Sequence, residues 1–173
     1  NNIQTIKDKI LSIINNNINI YNNIIIDILN YCILQYKYCY LYLDLLVMIF
    51  EPLNYNYNTV IEKYINNYIF PTFVVETTDN SIHENNESMY DNNKKLSNLL
   101  GYSALVACVE KNNILCCVNT IFNKLLLEYT TSNDNTIKYK YIQAIYIIMK
   151  ELYENMLPDK YLTPLQDLLK TPN

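Results

Sequence analysis

Apolar residues recur at helical spacing along nearly the whole chain. Ile3, Ile6, Ile10 and Ile13 line one face of a first helix over about 3–14. Asn15-Asn16-Asn17 breaks it, and a second helix over about 21–35 carries Ile25, Ile28, Leu29, Cys32 and Ile33 inward. A third covers about 39–50 and stops before Pro52, because the residue preceding a proline avoids helical geometry. Residues 54–58 alternate Asn and Tyr and read as loop, and a fourth helix spans about 59–69, ahead of Pro71. The stretch 76–93 is polar, acidic and aperiodic, which predicts a flexible surface loop.

Three helices follow at about 94–111, 114–129 and 136–154, with turns at Asn112-Asn113 and over 130–135. The sixth points Ile114, Val118, Ile121, Phe122 and Leu125 inward; the seventh points Tyr141, Ala144, Ile145, Ile148 and Leu152. An eighth starts near Pro158 or Pro164 and ends near residue 170, proline being well suited to a first helical turn. The expected fold is all-α, a single domain over 1–173. Short turns predict antiparallel neighbours, and about eight such helices suggest hairpins stacked as a HEAT-like solenoid. No strict repeat is visible, so a compact bundle is the competing arrangement.

The fifth helix differs from the rest. From Leu96 to Val109 it is apolar on almost every face, and it holds Gly101, the only glycine in the chain. A glycine inside a helix costs about 1 kcal/mol relative to alanine. Its expected use is structural, a place where a neighbouring backbone comes close. Ala104 and Ala107 continue that small-residue track.

Composition changes the picture in a few respects. With 173 residues, half of them hydrophobic, the chain can bury a substantial core. Asparagine fills 28 positions, all 13 basic residues are lysine, and alanine occurs three times. This skew reads as the mark of an A- and T-rich coding sequence. Net charge is −4, with no basic stripe and no arginine, so strong autonomous nucleic-acid binding is disfavoured. Cys32, Cys39, Cys108, Cys116 and Cys117 form no Cys-x-x-Cys pair and read as free thiols in a reducing compartment. The stretch 38–50 is too short to span a bilayer, so no membrane partner is expected. There is no signal-peptide pattern and no initiating methionine, which reads as a segment of a larger protein or complex.

Catalytic chemistry finds little support. His83 is the sole histidine and stands in the acidic stretch; Glu151 and Glu154 read as a solvated face. There is no zinc-ligand cluster, no glycine-rich phosphate loop and no nucleophile triad. No cofactor, metal or catalytic residue is assigned. Tyr36, Tyr38, Tyr40 and Tyr42 alternate as in a strand, but their flanks are helical, so they read as a turn. Lys94, Lys95, Lys111 and Lys124 fall around the fifth and sixth helices and are the candidate partner-binding residues. Ordinary solvation is the competing reading of all four.

The stretch from Leu100-Gly101 through Leu105-Val106 and Val109 to Lys111 and Ile114-Leu115 resembles the middle domain of eukaryotic initiation factor 4G. Lys124-Leu125-Leu126 and Ile147-Ile148-Met149-Lys150-Glu151-Leu152 are similar to the ends of that family's next two helices. Upstream, residues 25–29 and 40–48 look like its second hairpin and 6–13 like its entry helix. Lys94 and Lys95 stand where family members usually carry arginines. The resemblance implies a non-catalytic scaffold that binds a DEAD-box RNA helicase, with RNA as a second contact. That places it in translation initiation or mRNA metabolism, in the cytoplasm or the nucleus. The alternative from another class is a small all-helical regulator, of the viral Bcl-2-like kind, that takes a partner's amphipathic helix in a groove.

Overall fold

The computed structural model describes residues 2–14, 17–74 and 82–153. Among these residues the chain is all-helical, with seven α-helices: α1 (Asn2–Ile14), α2 (Ile18–Leu34), α3 (Cys39–Phe50), α4 (Tyr57–Asn66), α5 (Ile82–Lys111), α6 (Val118–Thr131) and α7 (Asn135–Tyr153). A 3₁₀ turn, Tyr36–Tyr38, joins α2 to α3 and holds the first two of the alternating tyrosines, while Tyr40 and Tyr42 belong to α3, so the run is helical and turn-like and not a strand. The predicted eighth helix lies outside the described residues.

The centre of the molecule is α5. Every residue from Gly101 to Val109 is buried, so this helix is enclosed on all sides over more than two turns. It packs against α2, α3 and the 3₁₀ turn on one side and against α6 and α7 on the other. A Cβ added to Gly101 would stand 2.9 Å from the Cα of Ile33 and 2.8 Å from its carbonyl carbon, and closer still to the carbonyl oxygen. The expected close approach is therefore real, and its partner is the backbone of α2. Ala104 and Ala107 are buried on the same helix.

The inward residues read for the second helix, Ile25, Ile28, Leu29, Cys32 and Ile33, are all buried. Helices α6 and α7 likewise bury Val118, Ile121 and Leu125, and Tyr141, Ala144, Ile145 and Ile148. The stripe read on the first helix is not the buried one. Ile13 is 72% exposed and Ile6 is exposed, while Ile14 is buried among its neighbours. Ile10 and Leu11, partly buried, pack against the core beside it, so only Ile10 of the four is shown packed on the core.

Helix ends follow local chemistry. Asn54 and Asn113 have φ of 50° and 55°, the left-handed conformation that usually calls for glycine. After α5, Ile114 N–H donates to Val109 O and Asn113 N–H to Glu110 O, the paired bonds that close a helix C-terminus. After α3, Tyr55 N–H to Phe50 O and Asn54 N–H to Glu51 O repeat the pattern. Asparagine fills the role because its short polar side chain tolerates this geometry. At the start of α7, Asp134 Oδ1 accepts from Ile137 N–H at 2.9 Å, as an N-cap does.

Three expectations need correction. Helix α6 begins at Val118, not 114, because the left-handed Asn113 turns the chain away and Glu110 supplies the next N-terminus. Its Oε2 accepts from Cys117 N–H at 2.9 Å and Val118 N–H at 2.6 Å. The stretch read as an acidic loop at 76–93 is helical from Ile82 onward, and residues 76–81 lie outside the described residues. Acidic residues near a helix N-terminus favour the macrodipole, and Asp91 pairs with Lys95 at 2.6 Å one turn on. Asn92 is buried and grips the extended chain at Val74, donating to its carbonyl at 2.9 Å and accepting from its N–H at 3.1 Å. Finally, α2 and α3 do not form an antiparallel hairpin: the chain turns by 112° between them.

No single described helix is long and apolar enough to cross a membrane. The bent α2–α3 pair has the length and composition together, but its Ile25, Leu29, Leu43, Leu46 and Ile49 are buried in the core.

Candidate functional site

An open groove runs between α2 and α4. Its wider part, about 530 Å³, is bounded by Asn22 and Ile26 of α2, Val60, Lys63 and Tyr64 of α4, and the chain that follows at 67–69. A second part, about 490 Å³, continues past Tyr64, Tyr68 and Ile69 to Leu34 and Pro71 and ends against Lys95 and Asn98 of α5. From Asn22 to Leu34 the α2 wall runs about 18 Å at the helical rise.

Two tyrosines fix its width. Tyr64 Oη donates to Asn30 Oδ1 at 2.7 Å, and Tyr55 Oη donates to Asn22 Oδ1 at 2.7 Å. Both bonds reach from beyond α3 back to the outer face of α2. Tyr68 stacks on Tyr102 with ring centroids 3.7 Å apart and planes 7° apart, and Phe70 meets both rings edge-on. Tyr102 in turn donates to Ile65 O at 2.9 Å. The floor of the groove is thereby anchored to α5, one residue from Gly101. Burial pushes the Tyr68 hydroxyl up to about 12, with Tyr64 nearby adding to it, and Tyr102 is raised further for the same first reason.

The groove is apolar and open. Ile69 is 87% exposed and Leu34 63%, with Ile26 also exposed on the α2 side. Lys63 is exposed and makes no ion pair among the described residues.

The four lysines singled out from sequence are divided by the length of α5. Lys94 is exposed, and Lys95 is half-buried and held by Asp91. Lys111 stands at the far end of the same helix, about 25 Å away along its axis. Lys124 is exposed on α6. Only Lys95 reaches the groove. Gly101, Ala104 and Ala107 serve packing and line neither part of it.

The buried cysteines offer no reactive centre. Cys32, Cys39, Cys108 and Cys117 are buried, and Cys116 is exposed. Cys32 Sγ lies 3.8 Å from Cys39 O. A hydrogen bond to Cys39 and burial raise the Cys108 thiol, and burial pushes Cys117 up to about 12. Raised thiols are poor nucleophiles and poor metal ligands, and no group of metal-binding side chains occurs among the described residues. The side chain of His83 lies outside the described residues. No protein-family model, curated protein or solved structure matches the chain.

Sequence reading missed the groove. The signals it offered were weak: three consecutive isoleucines at 24–26, more than one helix face can bury, and the apolar run 68–70 beside a proline.

Proposed function

We propose that this chain is a non-catalytic protein-interaction scaffold domain whose partner docks in the groove between α2 and α4. The observation that carries the reading is that groove: an apolar channel with a 87% exposed isoleucine, held open by two tyrosine–asparagine bonds. Apolar patches of this kind on a stable helical frame are where protein partners bind. The partner class comes from the resemblance to the middle domain of eukaryotic initiation factor 4G. It is a DEAD-box RNA helicase, with RNA as a secondary contact, in translation initiation or mRNA metabolism in the cytoplasm or nucleus. Two features support a stacked, HEAT-like reading of the helices. Helix α5 sits between the α2–α3 pair and the α6–α7 pair, and those two pairs have at most marginal contact with each other. Gly101, the glycine of the resembling segment, makes a close approach to the backbone of Ile33.

The test is a pull-down of purified DEAD-box helicases with the folded domain, together with their ATP turnover. The expected result is retention of a helicase and a changed turnover rate. Both should be lost in Ile69→Asp, with a smaller loss in Lys111→Glu/Lys124→Glu. No retention of any helicase, with an intact helical spectrum, would overturn the helicase partner.

A second reading has an observation of its own. A central helix buried on every face beside an open groove also suits a small helical regulator that takes an amphipathic helix, of the viral Bcl-2-like kind. Sensitivity to Ile69→Asp combined with indifference to the lysine reversals and to helicase would favour it.

A further inference from the structure

The groove's polar rim is one-sided. None of the residues bounding either part of it is acidic, while Lys63 and Lys95 bound its two parts. Lys95 is partly neutralised by Asp91, so Lys63 is the cation left for a visitor. The asparagines add to the bias. Asn22 and Asn30 each spend the carboxamide oxygen on a tyrosine hydroxyl, which leaves the amide N–H groups as the free function on the α2 wall. Along the α2 wall and at Lys63 the groove therefore presents donors and a positive charge beside an apolar floor, while Asn67 and Asn98 can both donate and accept.

We infer that the occupant is an acidic, aliphatic linear segment of a partner protein. Its aliphatic side chains would cover Ile26, Tyr68 and Ile69, and its carboxylates would meet Lys63 and the asparagine amides. This rests on the reading that the α2–α4 groove is the docking site, and it adds the chemistry of what docks. The charge complementarity sets specificity and on-rate, and the apolar floor supplies most of the affinity. An 18 Å wall is matched by about twelve residues of helix. A basic segment would place cations against Lys63 and face amide donors with no acceptor to offer. A nucleic acid would match the donors but leave the aliphatic floor uncovered.

The experiment uses the full chain and three fluorescent synthetic peptides of about twelve residues. One has leucines at helical spacing and glutamates between them, the second has lysines for the glutamates, and the third has serines for the leucines. A labelled polyuridylate oligonucleotide completes the set, with binding followed by fluorescence polarisation. The acidic leucine peptide should bind at least tenfold more tightly than the other two and than the oligonucleotide. Lys63→Glu should weaken it about tenfold, and added salt should weaken it in the parent but not in that variant. Ile69→Asp, at an exposed position that the fold does not use, should weaken it more. Equal binding of acidic and basic peptides, both lost in Ile69→Asp, would overturn the acidic occupant and leave the groove as the docking site. Binding indifferent to Ile69→Asp, or no peptide binding at all, would overturn both. Preferential binding of the oligonucleotide would replace the peptide with nucleic acid.

Discussion

Replacing Gly101 by alanine sets two opposed effects against each other. Helix propensity favours alanine by about 1 kcal/mol. Against it stands the backbone of Ile33, whose Cα and carbonyl carbon would lie 2.9 and 2.8 Å from the new methyl. Ordinary contact needs about 3.4 Å or more, so α2 must retreat by at least about 0.5 Å, and by more to clear the carbonyl oxygen. Backbone cannot turn aside as a side chain would. The retreat loosens the whole α2–α5 seam, where Leu29 and Cys32 are fully buried. A gap of 0.5–1 Å forfeits roughly a quarter to a half of the dispersion well at each affected contact. Overpacking of this kind costs about 1–3 kcal/mol, and a clash with backbone belongs at the upper end. The expected net result for Gly101→Ala is a loss of about 1–2 kcal/mol, and Gly101→Leu should lose more. Urea unfolding followed by circular dichroism at 222 nm measures it, with an unchanged m-value showing that the same surface is exposed. An alanine variant more stable than the parent by about 1 kcal/mol would mean that propensity decides. The tight α2–α5 seam would then be wrong.

Other outcomes follow from single contacts. Glu110→Ala should cost about 1–2 kcal/mol in the same urea assay, because the two N–H groups opening α6 lose a charged acceptor. Asn113→Val should cost about 1–2 kcal/mol through its left-handed backbone, whereas Asn113→Gly should be tolerated. Tyr68 and Tyr141 are pushed from 10 up to about 12, chiefly by burial. A raised acid keeps its stabilising effect below pH 10 and loses it as pH climbs through 12. Absorbance at 295 nm should therefore show part of the tyrosine signal appearing only as the helical signal collapses. Free titration of all tyrosines before unfolding would contradict the buried hydroxyls.

Most of the fold can be read along the chain because its helices bury one face each. The inward set read for α2 is buried whole, those read for the sixth and seventh helices are buried except for the half-buried Ile114, Phe122 and Leu152, and the fifth helix has no polar face after Leu99. The reading failed where a local pattern was overruled from a distance. Residues 82–93 have no apolar period, yet Asn92 is buried because it serves as hydrogen-bond partner to Val74, eighteen residues earlier. Residues 114–117 look helical by hydrophobicity, yet Asn113 and the Glu110 carboxylate set the start of α6. In a chain with one glycine, asparagine also takes the left-handed turns. A residue that fills 28 positions gives no warning of which ones matter.

The site was less legible for a related reason. Lysines close in sequence drew attention to the fifth and sixth helices, but a helix of thirty residues carries Lys94 and Lys111 about 25 Å apart. Nearness in sequence means nearness in space only within a turn or two. Lys63, the unpaired cation of the groove, lies in a helix with no distinguishing pattern, and it becomes significant only once Tyr64 bonds Asn30 across 34 residues. The same holds for the exposed isoleucines. Ile26 sits between two residues of which one is buried in the core, and nothing in its identity separates it from Ile25. What separates them is a 100° turn of the helix and the placement of α4 beside it. An open groove made of core-type residues is thus defined by the tertiary contacts that stop short of covering it. Mutation of Tyr55, which bonds Asn22 from outside the groove's lining, should alter binding without touching the partner, whereas Tyr64 lines the groove itself.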